Sequence, residues 1–151
     1  MPEHIAAFKA IWTGTQDRII AGKIATTTEL YKEMCHITGD VGQCIKDHKD
    51  ELVLEVDDPG WDGLAYIAHY NRMRKEHAAF ISEYTHMSSK KTISLNDLTV
   101  IALAKTLGLP VVSGESSAEP SPEKKRIPDI CKLEGVAHYT FNDFLEKEGI
   151  S

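Results

Sequence analysis

The sequence predicts an α/β fold in which helices surround a mostly parallel sheet. Short apolar runs typical of buried strands alternate with amphipathic stretches typical of helices, and turn signals such as "DDPG" separate them. The chain has 151 residues, of which 42% are hydrophobic and 26% charged, as in an ordinary globular protein. We therefore expect one domain over residues 1–151.

The helices are predicted from apolar spacing and from capping residues. Between Leu98 and Leu107 the apolar side chains recur at helical spacing, Gly108 is a stop signal, and Pro110 cannot continue the helix. In chain order the predicted helices are residues 3–21, a segment that starts near Thr27, "GDVGQCIKDHKD", Trp61 to about Tyr84, Leu98–Leu107 and "TFNDFLEKEG".

The strands are predicted from short apolar runs. "PVVS" is continuous enough to be a buried parallel strand, and "VAHYT" is expected to be the closing strand. "GKIAT" is a short candidate, and "ELVLEV" (51–56) alternates as a strand does. "ESSAEPSPEKKRIP" is expected to be the longest loop, because it combines three prolines with serines and charges.

The overall charge limits the function classes. The chain carries 17 basic and 23 acidic residues, a net charge of −6, so its bulk charge does not attract nucleic acid. Nucleic-acid binding would depend on local basic clusters, of which the sequence offers Arg72, Arg74 and Lys75, then Lys90 and Lys91, then Lys124, Lys125 and Arg126.

The location of the protein is predicted from what the sequence lacks. No apolar run approaches the length of a membrane span, and the first residues do not resemble a signal peptide. Cys35, Cys44 and Cys131 form no CxxC pair and no four-ligand zinc pattern, which is typical of reduced packing thiols. We expect a cytoplasmic protein with no membrane partner.

Four acidic residues have both a structural and a functional interpretation. Asp97, three residues after Ser94, approximates a capping box, and Glu115 could be an ordinary loop residue. However, a helix that leads into a parallel strand starts at the edge where the strands end, which is the edge where ligands bind in open α/β folds. Glu29 and Glu33, one turn apart, are expected at the same edge. Carboxylates that converge there would be neutralised by Mg²⁺ or Mn²⁺.

Three segments carry a family resemblance. "LNDLTVIALAKTLGLPVVSGE" resembles the C-terminal half of a PIN domain, the nuclease fold of VapC-type toxins, with its helix of the type D-x-x-x-x-A-x-A and an apolar strand followed by an acid. "RIPDICKLEGVAHYTFNDFLEKEGI" resembles the tail of one PIN subgroup, and "GKIATTTELYKEM" is similar to the second strand and helix of that group. The resemblance covers residues 92–148 and 15–35.

The resemblance implies a three-layer α/β/α sandwich and an acidic site that holds Mg²⁺ or Mn²⁺. Asp97 would be the metal-binding acid at the start of the helix. Glu115 would be the acid after the strand, with Ser113 where the family often has threonine. Glu33 would be the acid of the early helix, and Glu29 is the alternative.

The resemblance also implies a substrate and partners. A metal-bound water would hydrolyse an RNA phosphodiester, and Lys124, Lys125 and Arg126, in the loop beyond Glu115, would meet the RNA backbone. VapC-type nucleases are the toxins of toxin–antitoxin pairs, so an antitoxin protein is an implied partner.

One feature of PIN domains has no counterpart in this sequence. PIN domains open with a central strand that carries an aspartate followed by Thr or Ser, and Asp17 has no such context. The resemblance therefore implies an N-terminally truncated PIN-like domain that lacks its first strand. Because each unpaired buried backbone group costs about 1–3 kcal/mol, we expect the exposed strand edges to pair in a homodimer or with a strand-complementing chain.

Three functional hypotheses follow. The first is a metal-dependent endoribonuclease that uses Glu33, Asp97 and Glu115. The second is a truncated, catalytically inactive PIN-derived module for binding or dimerisation. The third is an unrelated small α/β regulatory protein, which an antiparallel sheet would favour.

Overall fold

The computed structural model describes residues 14–82, 93–118 and 125–150. These residues form a mixed α/β protein with two sheets of two strands each, and both sheets are parallel. The chain divides into two compact units. Unit 1 comprises Met1–Leu54 and Phe141–Ser151, and unit 2 comprises Glu55–Thr140.

Unit 1 is mostly helical. Its helices are α1 (residues 14–20), α2 (Thr28–Met34), α3 (Gly39–Asp47), α4 (Lys49–Leu52) and, near the end of the chain, α8 (Phe141–Lys147). A parallel bridge joins Thr26 to Val53. The core consists of Ile19, Cys44, Ile45, Leu52 and Val53, against which Ile24, Tyr31 and Met34 pack.

Two predictions in unit 1 have different outcomes. The start of the second helix near Thr27 is confirmed, because the Thr27 hydroxyl accepts a hydrogen bond from the backbone N–H of Leu30 and caps α2. The strand predicted over 51–56 is found only in part. Helix α4 continues to Leu52, whose N–H bonds to the carbonyl of His48, and Val53 is then extended and forms the parallel bridge with Thr26.

Unit 2 holds the two parallel sheets. In chain order its elements are α5 (Gly63–Glu76), a 3₁₀ turn (Ala78–Phe80), β1 (Ile81–Ser82), β2 (Ile93–Ser94), α6 (Leu95–Leu107), β3 (Val111–Val112), α7 (Ile127–Glu134) and β4 (His138–Tyr139). Strand β1 pairs with β2, and β3 pairs with β4. The deepest side chains of this unit include Met73, Leu98, Ile101 and Ile130, each fully buried.

The longest helix ends earlier than predicted. Helix α5 stops at Glu76, because the chain leaves the helical conformation at His77 and Ile81 enters β1 opposite Ile93. Pairing with a strand so far along the chain cannot be read from helical periodicity. The predicted end at Tyr84 lies outside the described residues, as does the predicted start of α1.

The segment after β2 matches its prediction closely. Helix α6 contains the whole predicted range Leu98–Leu107 and ends at Gly108, whose positive φ of 69° suits a residue without a Cβ. Strand β3 (Val111–Val112) follows and is parallel to β4, which confirms the parallel strand predicted for "PVVS", although only Val111 is buried. Strand β4 confirms the closing strand in "VAHYT".

Helix α7 was not predicted. Its sequence begins Ile-Pro-Asp, with proline in the first turn and Asp129 at the third helical position, which is an ordinary helix start. In the described part of the chain, no helix is long and apolar enough to cross a membrane.

Candidate functional site

Asp97 lies in the first turn of α6, three residues beyond the last residue of β2. Its carboxylate accepts a hydrogen bond from the N–H of Ser94 (3.1 Å), and the Ser94 hydroxyl accepts one from the N–H of Asp97 (3.0 Å). The side chain is half-buried. These two bonds form the predicted capping box, and they fix the carboxylate at the positive end of the α6 dipole.

Glu115 lies three residues beyond the end of β3 and is half-buried. Its Oε2 atom accepts a hydrogen bond from the N–H of Ile127 (2.9 Å), so the carboxylate holds the start of α7. The N–H of Glu115 donates to the hydroxyl of Ser113 (3.3 Å). Glu115 is thus a loop residue, as its structural interpretation has it, but it is half-buried and bonded to the start of α7.

Ser113 connects Glu115 to the neighbouring strand. Its hydroxyl oxygen lies 2.6 Å from Nε2 of His138, the first residue of β4. One proton is shared in this contact, and the tautomer of the ring decides which group donates it. The contact fixes the Ser113 hydroxyl beside the backbone of Glu115.

Asp129 is a buried acid in the first turn of α7, and the sequence prediction did not include it. Its carboxylate accepts bonds from the Ser117 hydroxyl (2.5 Å) and from the N–H groups of Ala118 and Arg126 (both 2.9 Å). Burial raises the pKa of this carboxyl, but these bonds and the charge of Lys125 lower it below its ordinary value overall. Asp129 is therefore an ionised residue that joins the loop after Glu115 to α7.

The predicted RNA-binding cations lie just before α7. Lys125 is half-buried, with its ammonium nitrogen 5.7 Å from the centroid of the Phe80 ring, and Arg126 is exposed. Lys124 lies outside the described residues. The structure therefore describes two of the three cations, and one of them contacts a ring from the 3₁₀ turn.

The acids of the early helix belong to unit 1. Glu29 and Glu33 both lie on α2 and are exposed. Asp97 and Glu115 belong to unit 2, where each follows the carboxyl end of a parallel-paired strand. A shared site with the α2 acids stays a prediction.

A second deeply buried carboxylate of unit 2, that of Glu134, was also missed by the sequence analysis. The Glu134 side chain is 3% exposed, and it binds Arg72 through two bonds of 2.7 and 3.1 Å. Its oxygens also lie 2.6 Å from Nε2 of His77 and 3.2 Å from Nζ of Lys105. Burial raises the pKa of Glu134, but the bonds from Arg72, His77 and Lys105 outweigh it and lower the pKa to about 2.

Glu134 also belongs to a group of side chains with metal-ligand chemistry. One ligand atom each from Glu76, His77 and Glu134 lies within 4.8 Å of the others. However, Arg72 binds both carboxylates, at 2.9 Å from Glu76, and Lys105 binds Glu134 as well. A divalent cation would have to displace these positive charges, so the geometry favours an ion-pair network.

The cysteines do not form a metal site among the described residues. Cys44 and Cys131 are buried and Cys35 is half-buried, and all three are free thiols. Burial raises the pKa of the Cys131 thiol to about 12, which keeps it protonated and unreactive. This agrees with the interpretation of these residues as packing thiols.

The comparison with protein families gives one match. A family model described as a domain of unknown function, DUF4411, matches residues 4–151, which is nearly the whole chain. No curated protein and no solved structure matches the chain.

Proposed function

This chain belongs to the DUF4411 family. From the sequence resemblance and the placement of its acids, we propose that it is a PIN-like, metal-dependent endoribonuclease that acts in the cytoplasm as the toxin of a toxin–antitoxin pair. In this proposal Asp97 and Glu115 hold Mg²⁺ or Mn²⁺, and the aspartate of the missing first strand has no counterpart in the chain.

One observation carries the proposal. Asp97 and Glu115 each lie three residues beyond the end of a parallel-paired strand, β2 for the first and β3 for the second. Helix α6 connects β2 to β3, which belong to separate two-stranded sheets, and the carboxyl ends of parallel strands are where ligands bind in open α/β folds. Parallel pairing throughout the described strands also argues against the unrelated regulatory protein, for which an antiparallel sheet was expected.

The donor atoms at these two acids suit a hard divalent cation. Both side chains are half-buried carboxylates, and oxygen is the ligand that Mg²⁺ and Mn²⁺ prefer. The hydrogen bond from Ile127 occupies only one oxygen of Glu115, and a carboxylate has about four acceptor positions in all. A bound cation would supply Lewis acidity and lower the pKa of a water molecule.

The residues of the chain have their own contributions to hydrolysis. The capping box and the bond to Ile127 fix the two carboxylates, so that less side-chain entropy is lost when a ligand binds. The hydroxyl of Ser113, held between His138 and the N–H of Glu115, is a polar group that can orient a water or a phosphate oxygen.

A cleavage assay with amide variants tests the proposal. Asp97→Asn and Glu115→Gln keep a carbonyl oxygen that can accept the capping bonds, but they remove the charge that binds a cation. We expect each to reduce Mn²⁺-dependent cleavage of single-stranded RNA at least about a hundredfold, with a nearly unchanged melting temperature. Glu76→Gln, which alters the other candidate metal group, is the matched control and should keep full activity.

The alternative is the truncated, inactive PIN-derived module. One observation favours this alternative. Asp97 and Glu115 each hold the start of a helix through a hydrogen bond, and this role requires no metal. If the folded wild type neither binds Mn²⁺ nor cleaves RNA, with or without a co-encoded antitoxin, the nuclease proposal is wrong and the inactive module takes its place.

The proposal includes self-association through a strand edge. Among the described residues β3 pairs with β4 alone, and Val112 on β3 is 42% exposed. An open edge of this kind can add a strand from a second copy or from a partner chain. Analytical ultracentrifugation should find a homodimer that Val112→Lys weakens, whereas Leu133→Lys, at an exposed position on α7, should not.

A further inference from the structure

The pairing of β3 with β4 fixes His138 beside Ser113. The N–H groups of Val111 and Ser113 donate to the carbonyls of Ala137 (2.9 Å) and Tyr139 (3.1 Å), which are the two neighbours of His138 in the chain. His138 itself pairs with Val111. Because alternate residues of a strand share a face of the sheet, the ring of His138 lies on the same face as Ser113 and reaches its hydroxyl.

The hydrogen bonds of the Ser113 hydroxyl can be accounted for one by one. A serine hydroxyl has one hydrogen to donate and two positions at which it can accept. The N–H of Glu115 occupies one accepting position, at 3.3 Å. Nε2 of His138, at 2.6 Å, takes either the hydrogen or the second accepting position. One position is therefore left, and the proton on His138 decides whether it donates or accepts.

A ligand can approach this hydroxyl. Ser113 is only half-buried, and Gly114 beside it is exposed. Apart from the atoms of adjacent residues, no heavy atom lies within 4 Å of the position that a Cβ at Gly114 would take. The remaining hydrogen-bonding position of Ser113 is therefore available to a substrate, two residues before the acid Glu115.

We infer that Nε2 of His138 carries a proton, and that this proton makes Ser113 a hydrogen-bond donor to a non-bridging phosphate oxygen of the substrate. Such an oxygen has no hydrogen, so it can only accept. His138 is then a positioning residue, because it acts on the substrate through Ser113. The inference rests on the proposed nuclease function, and it assigns Ser113 to the phosphate rather than to a water molecule.

The charge of the neighbouring acid favours this arrangement. A phosphodiester that approaches Glu115 meets a negatively charged carboxylate, which repels it. A donor at Ser113 offsets part of this repulsion, whereas an accepting oxygen would add to it. If Nε2 of His138 were unprotonated, Ser113 would donate to the ring and keep only an accepting position, which suits a water molecule.

Nitrogen-15 NMR of the histidine rings tests the position of the proton directly. The chain has seven histidines, and the signals of His138 are identified by their absence from the spectrum of His138→Gln. In the folded, metal-free wild type at neutral pH, we expect Nε2 of His138 to have the chemical shift of a protonated ring nitrogen. An unprotonated Nε2 would overturn the inference.

Mn²⁺-dependent cleavage of single-stranded RNA tests the role of that proton. His138→Leu, which has no donor, should lower kcat about tenfold and change KM less than about twofold, because the bond strengthens as charge builds up on the phosphate oxygen. His138→Gln keeps an N–H donor and should recover kcat to within about threefold of the wild type.

Two further variants separate positioning from a general effect on the fold. In Ser113→Ala, adding His138→Leu should have no further effect on kcat, since His138 acts through the hydroxyl. His69→Leu, at a half-buried position on α5, is the matched control and should keep the kcat of the wild type. Circular dichroism checks the fold of each variant, and the NMR measurement decides the inference even if His138→Leu does not fold.

The outcome is separable from that of the nuclease proposal. If the wild type cleaves RNA and a folded His138→Leu cleaves it equally fast, the inference is wrong and the nuclease proposal stands. A loss of kcat that His138→Gln does not recover would assign His138 a structural role and also overturn the inference. If the folded wild type cleaves no RNA, the nuclease proposal fails, and the role of His138 in it fails as well.

Discussion

Two acidic regions of unit 2 differ in how their carboxylates are bound. Glu134 is 3% exposed at the end of α7, and two cations and a histidine surround it. Asp97 and Glu115 are half-buried near the starts of α6 and α7, and the bonds described for their carboxylates come from backbone N–H groups. Glu134 is thus neutralised by side chains, whereas the carboxylates of Asp97 and Glu115 accept hydrogen bonds from the backbone at two helix starts.

The difference shows which kind of cluster suits a metal. Glu76, His77 and Glu134 bring three potential ligand atoms close together, and these residue types are common metal ligands. Arg72 and Lys105 already supply the compensating charge there, so a metal has little to gain. We therefore propose that the Glu134 region stabilises the fold and that Asp97 and Glu115 bind the metal, and each prediction below tests that division.

The largest expected effect on stability comes from Glu134→Ala. It leaves the buried His77 without its carboxylate partner and removes the ion pairs with Arg72 and Lys105, which water can still reach, and we expect a loss of about 1–3 kcal/mol in the free energy of unfolding, measured by urea denaturation. Glu76→Ala removes only the exposed acid bound to Arg72 and should cost less than about 1 kcal/mol. Equal losses for the two variants would contradict the stability role of Glu134.

The pH dependence of stability should follow from Glu134. Its pKa is about 2 in the folded protein, below the ordinary value of 4.5, so its contribution is fully present above pH 4.5 and is lost as the pH falls towards 2. The loss should approach about 3 kcal/mol. Asp129 acts in the same direction, because its pKa is also lowered.

Urea denaturation between neutral and acidic pH measures this effect. Glu134→Gln should flatten the dependence on pH, although it also lowers the stability at neutral pH. An unchanged slope in this variant would show that the ionisation of Glu134 does not control acid stability.

A smaller effect is expected for the α6 cap. Asp97→Ala removes the acceptor for the Ser94 N–H and should cost about 0.5–2 kcal/mol, whereas Asp97→Asn keeps an acceptor and should cost less. Thermal unfolding of the two variants measures the difference. Equal destabilisation by Asp97→Asn and Asp97→Ala would show that the charge of Asp97 stabilises the fold. In that case Asp97→Asn could not serve as a probe that affects metal binding alone.

The elements that the sequence predicts well depend on neighbouring residues. The start of α2 follows from Thr27, and the end of α6 follows from Gly108, whose backbone conformation few other residues adopt. The capping role of Asp97 was predictable for the same reason, since its partner Ser94 is three residues away. Local chemistry decides all of these features.

The features that sequence reasoning missed depend on distant partners. Glu134 binds Arg72, 62 residues earlier, and His77, 57 residues earlier, and no pattern in one sequence links positions so far apart. Likewise, α5 ends early because β1 pairs with β2. Asp129 was also missed, but its position in the first turn of α7 could have been predicted from neighbouring residues, because a proline followed by an acid marks a helix start.

A Mn²⁺ titration by calorimetry tests the central assignment most directly. The wild type, the variant with both Asp97→Asn and Glu115→Gln, and Glu76→Gln are compared, each shown to be folded by circular dichroism. We predict that the wild type and Glu76→Gln bind Mn²⁺ with the same affinity and that the double amide variant gives no binding heat. Binding that survives in the double amide variant and disappears in Glu76→Gln would place the metal at the Glu134 region and contradict the account.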